Sequence, residues 1–173
     1  MPAYYSEAAD SGAKNEETKY VLLLNSYHKG YKWTDDITRS IEESFKENKT
    51  DAVLFIEYMD TKKISSTEYF KKLPRIIKLK YSKYKFDCII ASDNDSLEFL
   101  IEYRDKVFPG VPVVFCGINY FRDEWIKGLK GFTGVVEIAD YRESINIALK
   151  LHPGIKNIII INDDTNTGNM VRS

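Results

Sequence analysis

Apolar and polar residues follow two different periods along this chain, and each switch between them marks an element. Val21-Leu22-Leu23-Leu24 is a short continuous apolar run, while Ile37, Ile41 and Phe45 recur at helical spacing. The first reads as a buried strand over residues 19–25 and the second as an amphipathic helix. Thr34 is placed to cap that helix, with Asp35 and Asp36 in a first turn that favours negative charge. A second strand, 52–58, ends in Met59-Asp60-Thr61. Ser65 and Glu68 then have capping-box spacing ahead of a face made by Tyr69, Phe70, Leu73, Ile76 and Ile77. Pro74 predicts a kink or restart there, because proline lacks the donor and crowds the preceding turn. A third strand, 86–91, runs into Ser92-Asp93-Asn94-Asp95 and a helix carrying Leu97, Leu100 and Ile101. After the Phe108-Pro109-Gly110 turn, a fourth strand covers 111–116 and ends in Gly117-Ile118-Asn119.

This alternation predicts an α/β fold, a Rossmann-like parallel sheet with helices on both faces. Beyond it lie a short helix at 123–127, an extended segment at 131–137 and a helix at 140–151. His152-Pro153-Gly154 ends that helix and a strand at 155–161 follows. Asp163-Asp164-Thr165-Asn166-Thr167-Gly168 has turn and capping chemistry for a helix that Ser173 cuts off. The expected division is a disordered leader at 1–18, a ligand-binding α/β lobe at 19–136, and at 137–173 a crossover into an incomplete second lobe. The chain is thus expected to be a fragment. Residues 140–173 should pack poorly alone or self-associate through an unpaired strand edge.

Composition narrows the function classes. With 173 residues, 43% of them hydrophobic, the chain is long enough to bury a sizeable core. A net charge of −1 with both signs interspersed leaves no footprint for nucleic acid. No apolar run reaches the length of a membrane span, and residues 1–19 lack the basic start and apolar middle of a signal peptide. Cys88 and Cys116 each lie in an apolar strand-like run and read as buried small hydrophobes. No CxxC or Cys/His ligand spacing supports a zinc site, and no GxGxxG, P-loop or GxSxG supports a nucleotide or hydrolase site. No metal or cofactor is expected.

The candidate chemistry lies in the strand-to-helix loops, which in an open parallel sheet gather at the carboxyl edge where ligands bind. The first loop concentrates Tyr27, His28, Tyr31 and Trp33. So much apolar surface on an exposed loop predicts a cover, and the group reads as a ligand platform, with a local core plug open to Tyr31 and Trp33 singly. Tyr58, Asp60, Asp93, Asn94 and Asn119 belong to the other loops of the same edge. One catalytic pattern competes. Residues 89–95 resemble the paired-aspartate start of a haloacid-dehalogenase-like phosphatase, with Asp93 as nucleophile and Asp95 as acid/base. Leu97 stands where that pattern usually has Thr or Val. A receiver domain fits less well, since Asn25-Ser26 replaces its acidic pair and no lysine accompanies Gly117-Ile118-Asn119.

The strings NSYHKGYKWTDDI, FPGVPVVFCGIN, GFTGVVE and LHPGIKNIIIINDDTNTG, spread over residues 20–168, resemble the ABC-transporter-type substrate-binding family. Its fold is like that of type-I periplasmic binding proteins. The resemblance is to the branch fused to bacterial membrane sensors such as histidine kinases or diguanylate cyclases. It implies two α/β lobes closing on a small solute, with Tyr27, His28, Tyr31 and Trp33 as the wall. Asp60, Asp93, Asn94 and Asn119 would supply orienting hydrogen bonds, and Glu137 would sit where the chain crosses to the second lobe. Asp93 is equally placed to cap its own helix, Asn119 to end strand four, and His28 to be solvated. The implied role is an extracytoplasmic, membrane-tethered sensor without catalysis in this chain. A transport receptor for the same kind of solute, aromatic or a small carboxylate, is the alternative.

Overall fold

A computed structural model describes residues 18–64, 66–137 and 140–161. In chain order they form β1 (Lys19–Asn25), α1 (Lys32–Glu47), β2 (Ala52–Tyr58), α2 (Thr67–Lys80) and β3 (Cys88–Ser92). Then come α3 (Asn94–Val107), β4 (Val113–Asn119), a 3-10 turn (Asp123–Trp125), β5 (Phe132–Glu137) and α4 (Tyr141–Leu151). The five strands make one sheet in the order β2-β1-β3-β4-β5, parallel at every pairing. The expected α/β parallel sheet is therefore present. The chain steps one way from β1 to β2 and the other way thereafter. Right-handed crossovers then put α1 on one face and α2 and α3 on the other. The strand order thus reverses between β1 and β3, and in open parallel sheets ligands bind outside the carboxyl ends of the strands at such a point.

The two faces differ in chemistry because strand side chains alternate. Leu22, Leu24, Ile89, Ala91, Val113 and Phe115 point to the α2/α3 side and join Leu73, Ile77, Leu97 and Leu100 in the core. Apart from Ala91, each of these side chains contributes roughly 1.5–3 kcal/mol by leaving water. On the α1 side, register aligns Asn25 with Tyr58 and Ser92. There Asn25 Nδ2 donates to Thr38 Oγ1 of α1 at 3.3 Å.

Local departures from the sequence reading have identifiable causes. Helix α1 begins at Lys32 with Tyr31 as its N-cap residue, so Thr34 lies buried inside the first turn and caps nothing. The loop closes on itself instead: Asp35 N donates to Tyr31 O at 2.9 Å, and Gly30 N donates to the Asp35 carboxylate at 3.0 Å. Ser66 caps α2, its hydroxyl accepting from Tyr69 N; Ser65, the expected partner of Glu68, lies outside the described residues. Helix α2 continues through Pro74 without a restart. Burial of Leu73 and Ile77 on either side holds the turn against proline's local cost of about 3 kcal/mol.

The extended segment near 131–137 becomes β5, and Gly134 is what lets it approach. A Cβ there would lie 2.2 Å from the Phe115 carbonyl oxygen. The helix expected at 123–127 is only the 3-10 turn. Residues 155–161 join no ladder, contrary to the strand expected there; Ile159 and Ile161 are 85% and 93% exposed. Period and composition marked an apolar run, but a strand exists only where a neighbour takes its backbone hydrogen bonds. The leader (1–17) and the turn sequence at 163–168 lie outside the described residues. Cys88 and Cys116 are free and half-buried, less enclosed than expected. Burial pushes the Cys88 thiol up and, with the charges of Asp93 and Glu137, the Cys116 thiol up to about 11. Both stay protonated and unreactive at neutral pH. Among the described residues no helix is long and apolar enough to cross a membrane, and no His/Cys/Asp/Glu group is arranged to hold a metal.

Candidate functional site

The carboxyl edge is held together by small hydroxyls. Ser26 N and Ser26 Oγ both donate to Ser92 O, at 3.1 and 2.7 Å, and the same hydroxyl accepts from Ser96 N at 2.8 Å. Ser96 Oγ turns back to Ser92 O at 2.7 Å. On the other side Met59 N donates to Asn25 O at 2.9 Å and Thr61 N to Ser26 O at 3.0 Å. The loops after β1, β2 and β3 are therefore one hydrogen-bonded block. Each partner matters, because an unpaired polar group buried here would cost about 1–3 kcal/mol.

Asp93 stands at the centre of this block. Its backbone adopts φ 71°, ψ 169°, a conformation that residues other than glycine pay roughly 1–3 kcal/mol to hold. That geometry takes the carboxylate away from the first turn of α3, so Asp93 occupies the N-cap position without capping. Instead its carboxylate accepts from Trp33 Nε1 at 2.9 Å and from Ser92 Oγ at 3.1 Å. Only 2% of the residue is exposed. Burial, reinforced by Glu137 and Asp95, pushes its pKa up to about 6 against the pull of those two hydrogen bonds. Gly117 (φ 68°) packs against it, with a Cβ position 3.5 Å from the carboxylate.

Trp33 is pinned by this bond through its polar edge while 41% of the residue stays exposed. A ring held this way is not a core plug. The rest of the aromatic loop meets Lys62 of the loop after β2. Tyr27 is buried and meets Tyr31 edge-to-face at 5.3 Å, and His28 lies 5.8 Å from Tyr31. Lys62 Nζ sits over both tyrosines, 4.7 Å from the Tyr27 ring centre and 5.2 Å from that of Tyr31.

The remaining candidates divide. Asn94 commits its side-chain amide to the backbone of Asn119, donating to its carbonyl at 2.9 Å and accepting from its N–H at 3.0 Å. It fixes the end of β4 like a short strand partner. Tyr58 shares the parity of Leu54 and Ile56, which brings it under α1, where its hydroxyl meets Thr38 and burial pushes its pKa up. It does not join the cluster. Asp60 (φ 56°) shapes the loop after β2, its carbonyl accepting from Lys63 N and Ile64 N. Glu137 is exposed at the end of β5, beside Asn119 in register, and its charge reaches Asp93.

Sequence reasoning placed Ser26, Ser92 and Gly117 in the loops of this edge without giving them a role, and passed over Ser96 and Lys62. The repeated serine at the ends of two apolar strands, and again four residues on, was the available signal for the hydroxyl block. Lys62 carried none, since its place over the rings depends on how two loops meet. Chemically, the edge offers an exposed aromatic face, a buried carboxylate near its titration point and a cation held on rings. That mixture suits a small solute that is partly apolar and partly charged.

No protein-family model and no curated protein matches the chain. A solved structure described as a conserved domain protein from Vibrio cholerae is similar in fold, with a TM-score of 0.62 and 11% sequence identity. The match covers 90% of this chain and 51% of that one, so the chain spans about half the length of the structure it resembles.

Proposed function

We propose that this chain is the ligand-recognition lobe of an extracytoplasmic sensor. The family is the substrate-binding one that its sequence strings resemble, in the branch joined to a membrane-bound histidine kinase or diguanylate cyclase. The observation that carries the reading is the Trp33–Asp93 pair at the β1/β3 reversal. An exposed indole is fixed by a buried carboxylate whose backbone is held in a costly conformation. Such strain persists where the surroundings over-determine a residue, and ligand clamps are one such place.

In this mechanism the solute lays an apolar face on Trp33, and its polar groups meet the charged residues of the edge. A second lobe then closes over it. The signal is set by the difference in solute affinity between open and closed forms, since only that difference shifts the equilibrium. A transport receptor would use the same site and would differ in delivering the solute to a permease instead of signalling.

The test is thermal shift of the full chain against amino acids and small carboxylates, on wild type and Trp33→Ala. A solute should raise the wild-type melting point, and the variant should require a higher concentration of it. A wild type that no solute moves, with Mg²⁺-dependent phosphatase turnover lost in Asp93→Asn, would overturn the reading in favour of an enzyme.

A further inference from the structure

We propose that Lys62 is the anion anchor of this site, with Tyr27 and Tyr31 holding its ammonium in place to receive the carboxylate of the solute. The inference rests on the sensor reading above and names the chemistry that the site selects.

The backbone around Lys62 is preorganised. Met59 and Thr61 are tied to β1 and its loop through Asn25 O and Ser26 O, at 2.9 and 3.0 Å. Lys63 N and Ile64 N both donate to Asp60 O, at 2.8 and 2.9 Å, closing a turn around the lysine. The side chain is fixed in turn by the two rings, 4.7 and 5.2 Å from its nitrogen. A long lysine side chain ordinarily loses much rotamer freedom on binding an anion. Here that loss has already been taken in folding.

Its charge is held but not matched. Lys19, Lys32, Lys72 and Lys80 each have a carboxylate within ion-pair distance, and among the described residues Lys62 has none. Aromatic faces attract an ammonium through their quadrupole, yet offer no lone pair to its three N–H donors. Lys62 lies in the loop after β2, at the carboxyl edge where the solute is expected. The alternative, that the tyrosines are a cage for a solute ammonium, is weaker. A ligand cation would have to evict Lys62 and would exchange one cation–ring contact for another. An incoming carboxylate gains a charge-assisted hydrogen bond without breaking that contact.

The experiment is calorimetric titration of the full chain with small carboxylates, each paired with its primary amide; 3-phenylpropionate and 3-phenylpropionamide are one pair. Wild type, Lys62→Met and Lys62→Arg are compared, with circular dichroism to check folding. Carboxylates should bind wild type more tightly than their amides. Lys62→Met should lose carboxylate affinity by about tenfold to a hundredfold while amide affinity stays unchanged, and Lys62→Arg should retain most of it. Equal losses for carboxylate and amide would assign Lys62 a structural role and overturn the anchor. So would neutral or cationic solutes that bind while no carboxylate does, although that result leaves the sensor reading standing. If no solute of any charge binds, the sensor reading fails and the anchor falls with it.

Discussion

Replacing Asp93 by asparagine should change the pH dependence of stability more than stability itself. Asparagine is nearly isosteric, so its carbonyl accepts from Trp33 Nε1 and its amide donates to Ser92 Oγ, where the carboxylate accepts from both. What it removes is a titration. Burial raises the Asp93 pKa from 3.8 to about 6. Between those values the folded state binds a proton that the unfolded chain has released, so stability falls as pH rises. The Asp93 contribution is fully present below about pH 4 and lost as pH climbs through about 6. A shift of about two units corresponds to about 3 kcal/mol. Asp36 and Asp87 are shifted the other way, held low by Lys32 and by the Tyr20 backbone N–H, and lose stability as pH falls. Both proteins share that background, so it cancels in the difference. Urea unfolding of wild type and Asp93→Asn across this range is the assay. The variant should gain on wild type by up to about 3 kcal/mol between about pH 4 and pH 7.5. A difference that stays constant with pH would refute the argument, because the carboxylate would then be unshifted by folding.

Other substitutions test separate parts of the edge. Trp33→Ala should weaken solute binding by roughly 1–3 kcal/mol, the scale of one large apolar contact, measured by titration calorimetry. Its cost in unfolding free energy should stay below the roughly 3–5 kcal/mol of a fully buried aromatic; a larger cost with intact affinity would make the ring a core residue after all. Asn94→Ala leaves both backbone groups of Asn119 without their partner and should cost about 1–3 kcal/mol in urea unfolding, an effect that Asn94→Asp reproduces only in part. Gly134→Ala drives a methyl toward the Phe115 carbonyl and should destabilise by about 1–3 kcal/mol, with faster amide exchange concentrated in β5. Unchanged exchange there would mean that β5 accommodates the side chain.

The layered fold was legible because two periods and a few turn signals specify it. The leucine run of β1 and the Ile37/Ile41/Phe45 face of α1 need no tertiary knowledge, and parallel pairing follows once each strand is separated by a helix. The misreadings arise where local propensity leaves open which residue or which partner completes an element. Thr34 is as good an N-cap as any, but Tyr31 takes the position because the His28–Tyr31 turn and the Asp35 carboxylate already organise the loop. Residues 155–161 have strong strand composition and join no strand, since composition supplies side chains for a sheet and not a partner for its backbone.

The candidate site was legible as a set of loops at one edge and much less so in its atomic contacts. Four loops at one edge follow from topology alone, and the aromatic loop is visible as a composition anomaly. Which atoms face one another depends on details smaller than an element. Parity under α1 removes Tyr58 from the cluster, a bidentate amide gives Asn94 to Asn119, and an unusual φ at Asp93 turns a capping residue toward Trp33. The last of these has the largest consequence. Had Asp93 taken an ordinary extended conformation, its carboxylate would meet the amides of α3 and its pKa would be drawn down, since such bonds favour the charged form. The strained backbone sends it instead to one indole and one hydroxyl, buried, where its charge is poorly matched. A group in that condition responds to what docks beside it: a solute donor would pull its proton off, and an anionic solute would keep it on. Under the proposed sensor reading, the same backbone dihedral would make the charge state of Asp93 sensitive to a solute bound at this edge.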